Sequence, residues 1–273
     1  MIELQDLQVV FSPGTPLEKS VFNDFSLTIT AGEFVTVIGS NGAGKSTLLN
    51  VLSGEVNSQT GKGLQRGKVI IGKQDVTDWS VARRAALVSR VFQNPLAGSC
   101  ADLTVEENLV LAQGRSRTLS LRPALNPKRR RQFRDRLAGL ELGLENRLGD
   151  RMGLLSGGQR QAVSLVMATL APSKVLLLDE HTAALDPQTA SYILALTKTL
   201  VSEQKLTTLM VTHSMQQALD LGDRTLMLHS GSLALDISGD ARKGLTVPDL
   251  LNAFAQQTDT TPGGLAEDAL LLG

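Results

Sequence analysis

The sequence predicts an α/β fold with a mainly parallel sheet and a helical segment inserted mid-chain, and three observations predict it. The short, nearly continuous apolar run Phe34-Val35-Thr36-Val37-Ile38 has the character of a strand buried on both faces, and it opens into a glycine-rich loop and then a helical pattern. From Gly157 to Thr212, helix and strand patterns alternate, as a parallel sheet with helices on its faces requires. Between them, about residues 96 to 155, the pattern turns helical.

Taken in order, Leu7 to Phe11 and Phe25 to Ile29 read as strands separated by the turn-rich Ser12-Pro13-Gly14 stretch. Thr47 to Leu52 reads as a helix, and the polar, glycine-rich Ser53 to Gly67 as a loop. Val88 to Gln93 is a strand ended by Asn94-Pro95. Thr104 and Glu107 form a capping box at the start of a helix over Val105 to Ala112. Asn126-Pro127 opens a second helix through Lys128-Arg129-Arg130-Arg131 to Leu140. A helix from Gly157, a strand Val175 to Asp179, a helix from Pro187 and a strand Thr207 to Thr212 complete the core. Thr258 to Gly273 reads as a loosely held tail.

Composition narrows the function. The 273 residues suffice for one large domain or a core with an inserted lobe, and the apolar fraction of 42% is that of a globular protein. Lys+Arg and Asp+Glu both total 27, so no net charge favours nucleic acid, and none is expected as a partner. A single cysteine, Cys100, excludes an internal disulfide and a thiol metal cluster and fits a reducing compartment. Met1-Ile2-Glu3-Leu4-Gln5 shows no signal peptide, and no apolar run approaches the roughly 18–20 residues of a spanning helix. The chain is expected to be soluble, reaching a membrane only through a partner.

Gly39-Ser40-Asn41-Gly42-Ala43-Gly44-Lys45-Ser46 satisfies G-x-x-x-x-G-K-[ST] between a buried-type strand and a helix. Glycines let the backbone N–H groups converge on phosphates, and the helix N-terminus favours negative charge. Lys45 would meet the β and γ phosphates, Ser46 would give a hydroxyl to Mg²⁺, and Thr47 would add a phosphate contact. Alone, this loop does not separate kinases, GTPases and ATPases; an ordinary glycine-rich turn is the plainer alternative. The apolar strand Val175 to Leu178 ends in Asp179-Glu180. Consecutive strand residues face opposite ways, so the two carboxylates divide their work. Asp179 would hold Mg²⁺ through water, and Glu180 would polarise the water that attacks the γ-phosphate.

Leu155-Ser156-Gly157-Gly158-Gln159-Arg160-Gln161 resembles the signature motif of the ABC ATPase family, standing shortly before the acidic strand as it does there. Physically, Ser156 can cap a helix whose first residues, Gly157, Gly158 and Gln159, present backbone N–H groups to an anion. The resemblance spans about residues 2 to 236. It implies a P-loop NTPase core of the ABC type: a mixed sheet with flanking helices, an antiparallel N-terminal β-subdomain and an inserted α-helical subdomain. Residues 1–95 and 156–240 would form the core, 96–155 the insertion and 241–273 a short tail.

The same resemblance implies site roles. Gln93 would touch Mg²⁺ and the attacking water. His213, after Val211-Thr212, would contact the γ-phosphate, and Ala184-Leu185-Asp186 would pass between two subunits. Phe11 stands where the family carries an aromatic that stacks on adenine; a core phenylalanine is its plainer reading. Two subunits would pack head-to-tail, so that Ser156 and Gly158 of one cap the ATP held by the other. His181 departs from the family, which often has proline after the base, and its presence implies a less rigid turn. The run Asp179 to Asp186 also resembles a subgroup of bacterial uptake ATPases serving a branched-chain amino-acid-like permease and an external solute-binding protein.

The expectation is therefore an ATP- and Mg²⁺-dependent ATPase, peripheral on the inner face of the cell membrane, homodimeric and bound to a transmembrane permease. Two rival readings stand beside it. One is a non-transport ABC ATPase acting on nucleic acid or ribosomes, suggested by Lys128 to Arg136 with five arginines and one lysine; Asp135 interrupts the run, and a solvated helix face accounts for it as well. The other is a regulatory ATPase that binds a membrane protein without moving a solute.

Overall fold

A computed structural model describes residues 1–57, 63–115 and 125–258. It divides into two compact units, one made of residues 1–84 and those from 205 on, the other of residues 85–204.

In the first unit, β1 (Ile2–Phe11) alternates buried Ile2, Leu4, Leu7 and Val9 with polar neighbours, the pattern of a half-buried strand. It pairs antiparallel with β2 (Lys19–Ile29), from Ile2↔Ile29 to Phe11↔Lys19. Next come β3 (Phe34–Gly39), α1 (Lys45–Ser53), β4 (Leu64–Ile71), β5 (Gln74–Asp75) and the short α2 (Val81–Arg84). Strands β2-β1-β4-β5 form the antiparallel sheet that the family resemblance implies.

The expectation of a loop over Ser53–Gly67 is corrected at both ends, because α1 includes Ser53 and β4 begins at Leu64; residues 58–62 lie outside the described part. Gly67 is the reason. The β1–β4 register slips between Gln5↔Lys68 and Gln8↔Arg66, and Gly67 sits there at φ +88°. A Cβ on it would lie 2.4 Å from the Gln5 carbonyl oxygen and 2.5 Å from that of Asp6. Here glycine marks a bulge with close backbone approach inside a strand, where the sequence alone suggests a break in one.

In the second unit, β6 (Val88–Val91) runs parallel to β7 (Val175–Asp179), from Val88↔Val175 to Val91↔Leu178, once α3 (Val105–Gly114), α4 (Pro127–Ala138) and α5 (Gly157–Leu170) have intervened; α6 (Pro187–Gln204) follows. The Thr104 capping box forms: Glu107 N donates to Thr104 Oγ1 at 3.3 Å, and Thr104 N to Glu107 Oε2 at 2.7 Å. Asn126 caps α4 by accepting from Arg129 N at 2.9 Å. That helix turns Phe133 and Leu137 into a core with Val105, Leu109, Val163 and Ile193. Its basic residues lie on the outward side, where Arg130 pairs with Glu106 at 2.9 Å. This is the geometry of a solvated face.

The chain returns to the first unit with β8 (Thr207–Val211), α7 (Met215–Asp220), β9 (Arg224–His229), β10 (Ser232–Ser238) and α8 (Val247–Thr258). There the strand order is β10-β9-β3-β8, with β3 parallel to both neighbours and β10 antiparallel at the edge. All six residues of β3 are buried, as expected of its nearly continuous apolar run. Within the stretch expected as a tail, α8 places Leu250 and Phe254 against Ile38, Met215, Ala218 and Met227. Residues 259–273 lie outside the described part.

The bulge makes a quantitative prediction. Gly143 has φ +69° with nothing within 4 Å of where a methyl carbon would stand, so Gly143→Ala should cost about 1 kcal/mol of backbone strain. Gly67→Ala adds two carbonyl clashes and should cost at least about 1 kcal/mol more, read from urea unfolding midpoints. Equal costs would show that the β1–β4 bulge relaxes freely.

Candidate functional site

In the first unit, β3 delivers the chain into the phosphate loop at Gly39, where α1 begins six residues on. Gly39, Gly42 and Gly44 have φ of +147°, +81° and +106°. Two of these admit no side chain: a Cβ on Gly39 would lie 2.2 Å from the Leu228 carbonyl oxygen, and one on Gly44 2.9 Å from the Phe22 ring. The loop is closed by Ala43 N donating to Ser40 O at 3.2 Å. Ser40 and Ala43 are buried, whereas Asn41, Gly42 and Ser46 are exposed and Thr47 is half-buried. The α1 N-terminus has no side-chain cap and no acid in its first turn, so no side chain of its own competes with an anion for its backbone donors.

Lys45 is only 6% exposed, and a buried ammonium needs acceptors. It finds the carbonyls of Gly39 at 2.5 Å and Ser40 at 2.9 Å, so the loop wraps its own cation. The far end of α1 is pinned as firmly. Arg84, fully buried, donates to the carbonyls of Val51, Leu52 and Thr77, the last at 2.9 Å. Burial lowers its pKa to about 10, which leaves it cationic at neutral pH.

His213 joins this loop within the same unit. Strand β8 lies beside β3, and Thr212 N donates to Val37 O at 3.2 Å, so the segments leaving both strands emerge side by side. Thr212 Oγ1 donates to Gln217 Oε1 at 2.9 Å and accepts from Ser214 N at 3.1 Å, and Ser214 caps α7; the turn holding half-buried His213 is thus fastened on both sides. Phe11 sits at the end of β1, half-buried, with Gly63 close enough that a Cβ there would touch its ring at 3.2 Å.

The second unit gathers the other candidates. Ser156 Oγ accepts from Gln159 N at 3.2 Å while Ser156 N donates to Gln159 Oε1 at 3.2 Å, a capping box that leaves the hydroxyl proton free to donate. Arg147 Nη1 also donates to Gln159 Oε1 at 2.9 Å. Gly157 and Gly158 face Leu185 and Thr189 closely, a Cβ on Gly158 falling 2.4 Å from a Thr189 methyl. Further along α5, buried Gln161 donates to the Phe92 carbonyl at 3.5 Å, tying the signature helix to the residue before Gln93. Phe92 and Pro95, on either side of Gln93-Asn94, line a cavity of about 380 Å³ with Arg90, Cys100, Leu111 and Met167.

Asp179 and Glu180 leave β7 half-buried, and Glu180 has φ +45°, a left-handed conformation uncommon for its type. Asp186 accepts from Thr189 N at 3.1 Å as the cap of α6, and its hydrogen bonds to Thr189 hold its carboxyl below the usual carboxylate range.

Two residues that the motifs do not mark prove central. Arg90 donates to Asp179 Oδ2 at 2.6 Å; the only sequence signal was a charged residue within a buried strand. His181 does not loosen the turn as the loss of proline suggests. It is 2% exposed and its Nε2 lies 3.0 Å from Thr197 Oγ1, whose hydroxyl donates to the Ile193 carbonyl at 2.8 Å. Nε2 therefore carries the proton, and α6 anchors the residue after Glu180. Burial pushes the His181 pKa down to about 4.

Comparisons with known proteins bear on the family and the fold. The family model described as ABC transporter matches residues 22–183. A tyrosine transport ATP-binding protein of Clostridioides difficile (strain R20291) is 42% identical over 254 residues, 93% of this chain and 98% of the relative. The thiamine import ATP-binding protein ThiQ of Escherichia coli (strain K12) is 35% identical over 210 residues, 77% of this chain and 83% of its own. Among solved structures, a dimeric bacterial ABC transporter cassette matches with a TM-score of 0.72 at 27% identity, covering 87% of this chain and 98% of that one. A dimeric cassette in a post-hydrolysis state bound to ADP and Pi matches with a TM-score of 0.71 at the same identity and coverage.

The buried histidine predicts a pH dependence. An unfolded chain takes up this proton near pH 6.5, the folded one only near 4, so between these values the unfolded state binds more protons and stability falls as pH falls. The loss across the window should be about 3 kcal/mol. His181→Gln should flatten the dependence of unfolding free energy on pH by that amount; an unchanged slope would show that His181 does not titrate this way.

Proposed function

This chain belongs to the ABC transporter family, and from that premise we propose that it is the ATP-hydrolysing subunit of an importer, working as one half of a head-to-tail dimer. The observation that carries the reading is the pair of glycine-containing helix starts, α1 with no capping side chain and α5 with a capping box that leaves the Ser156 hydroxyl proton to donate. In this reading α1 of one subunit and the signature end of α5 of its partner grip the same ATP, and Phe11 stacks on the adenine.

Each residue then has a task. Lys45 exchanges its two loop carbonyls for the β and γ phosphates, so the cation is in place before nucleotide arrives. By the family resemblance, Ser46, Gln93 and Asp179 would each offer Mg²⁺ an oxygen donor of the kind that ion takes. When bound, Mg²⁺ would neutralise charge on the β and γ phosphates. Glu180, which is left-handed and precedes the anchored His181, would orient the attacking water, and His213 would donate to the γ-phosphate. Ser156, Gly157, Gly158 and Gln159 receive the γ-phosphate of the partner's nucleotide, and Asp186 holds the loop that faces the partner. Loss of the γ-phosphate removes the bridge and the dimer opens, so ATP shifts an open–closed equilibrium by binding the closed form better.

No helix among the described residues is long and apolar enough to cross a membrane, so transport requires a permease, whose segments would enter the cavity beside Gln93. We place the subunit on the inner face of the cell membrane. An amino-acid-like solute delivered by an external binding protein is supported by the run from Asp179 to Asp186 and by the name of the tyrosine-transport relative.

Glu180→Gln should reduce ATP turnover by about 10²–10⁴-fold while retaining ATP binding, trapping the closed dimer. A tagged Glu180→Gln chain recovered from native membranes with ATP and Mg²⁺ should bring down a polytopic permease. Recovery of ribosomes, nucleic acid or a single-span protein in its place would overturn the transport reading while leaving the ATPase intact.

A further inference from the structure

The carboxylate assigned above to the metal already carries a cation. Arg90 Nη2 donates to Asp179 Oδ2 at 2.6 Å, and the two side chains are 10% and 16% exposed. A pair this sheltered is weakly screened, so the guanidinium offsets much of the negative charge that Asp179 presents to a divalent ion and repels that ion directly. Arg90 reaches Asp179 from the neighbouring strand: β6 pairs Arg90 with Leu177, and the long side chain spans the remaining two residues along β7. Its position is restrained on the other side, since the guanidinium lies 4.7 Å from the Phe92 ring centroid, and a Cβ on Gly98 would meet that ring at 3.0 Å. Arg90 and Phe92 together line the 380 Å³ cavity, next to Cys100, Leu111 and Met167.

We propose that Arg90 is a positioning residue that competes with the metal ion for Asp179. This rests on the reading of Asp179 as a metal ligand. In the resting subunit the ion pair holds divalent-cation affinity down. A guanidinium that merely orients Asp179 would have the opposite signature, because its removal would weaken metal binding.

The test is a Mn²⁺ titration of the full chain with ATP bound, free Mn²⁺ being read by electron paramagnetic resonance. Arg90→Met keeps the aliphatic stem and removes the charge, and should raise Mn²⁺ affinity roughly tenfold. Arg90→Lys, which retains the charge, should stay closer to wild type. ATP binding in EDTA, which depends on the phosphate loop, reports that each variant is folded; should Arg90→Met lose it, Arg90→Gln provides the same comparison. Unchanged or weaker Mn²⁺ binding in a folded, uncharged variant overturns the proposal. Asp179→Asn separates the two layers. If it lowers Mn²⁺ affinity while removal of Arg90 does not raise it, only the competition falls. If it leaves Mn²⁺ affinity untouched, Asp179 is not a metal ligand, and the proposal falls with that reading.

Discussion

The burial of β3 is the constraint on which the first unit depends. A strand with all six residues buried and parallel neighbours on both sides can keep a polar side chain inside only where it is hydrogen-bonded, as Thr36 Oγ1 is to the Ala218 carbonyl at 3.0 Å, so groups that must meet a ligand are left to its ends. Its C-terminal end therefore collects the chemistry. The phosphate loop leaves there, Thr212 of the adjacent strand hydrogen-bonds into β3 there, and Lys45 turns back to its carbonyls. The geometry cannot slide, because Gly39 lies against the Leu228 carbonyl and Gly44 against the Phe22 ring. Arg84 completes the arrangement by taking up the last carbonyls of α1, so the helix that would face phosphate is held at both ends.

The two anion-ready helices solve the same problem by different local means. The α1 start has no capping side chain and is reached through glycines at positive φ. The α5 start uses a Ser156–Gln159 capping box that consumes two backbone positions yet leaves a hydroxyl proton available. The first suits a loop that wraps a phosphate chain; the second suits a terminal oxygen approaching along the helix axis. In the proposed reading, one of these surfaces would hold the chain's own nucleotide and the other would be offered to a partner's, which is the physical sense of the proposed head-to-tail pairing.

Around the acids, the second unit stores constraint in place of freedom. Glu180 is left-handed, His181 is locked to α6 through Thr197, and Asp179 is paired with Arg90. A proline would have restrained this turn through its ring; here a buried histidine restrains it through a hydrogen bond, at the cost of acid sensitivity.

Much of the architecture was legible because periodicity and caps are local. The Thr104 and Asn126 caps, the α5 start at Ser156 and the bounds of β7 at Val175–Asp179 all depend on residues within a few positions of one another. Elements whose stability is supplied from afar were not legible. Strand β4 hides behind a glycine that is needed only because β1 bulges against it, and α8 persists by placing Leu250 and Phe254 on residues as far back in the chain as Ile38. The sequence by itself determined the family motifs, their order and the chemical type of every candidate group, since these are written in residue identity and short spacing. Only the tertiary structure decided that Arg90 meets Asp179 and that His181 is buried against Thr197, because those partners are 89 and 16 residues apart and no local pattern encodes a contact made by the packing of strands and helices.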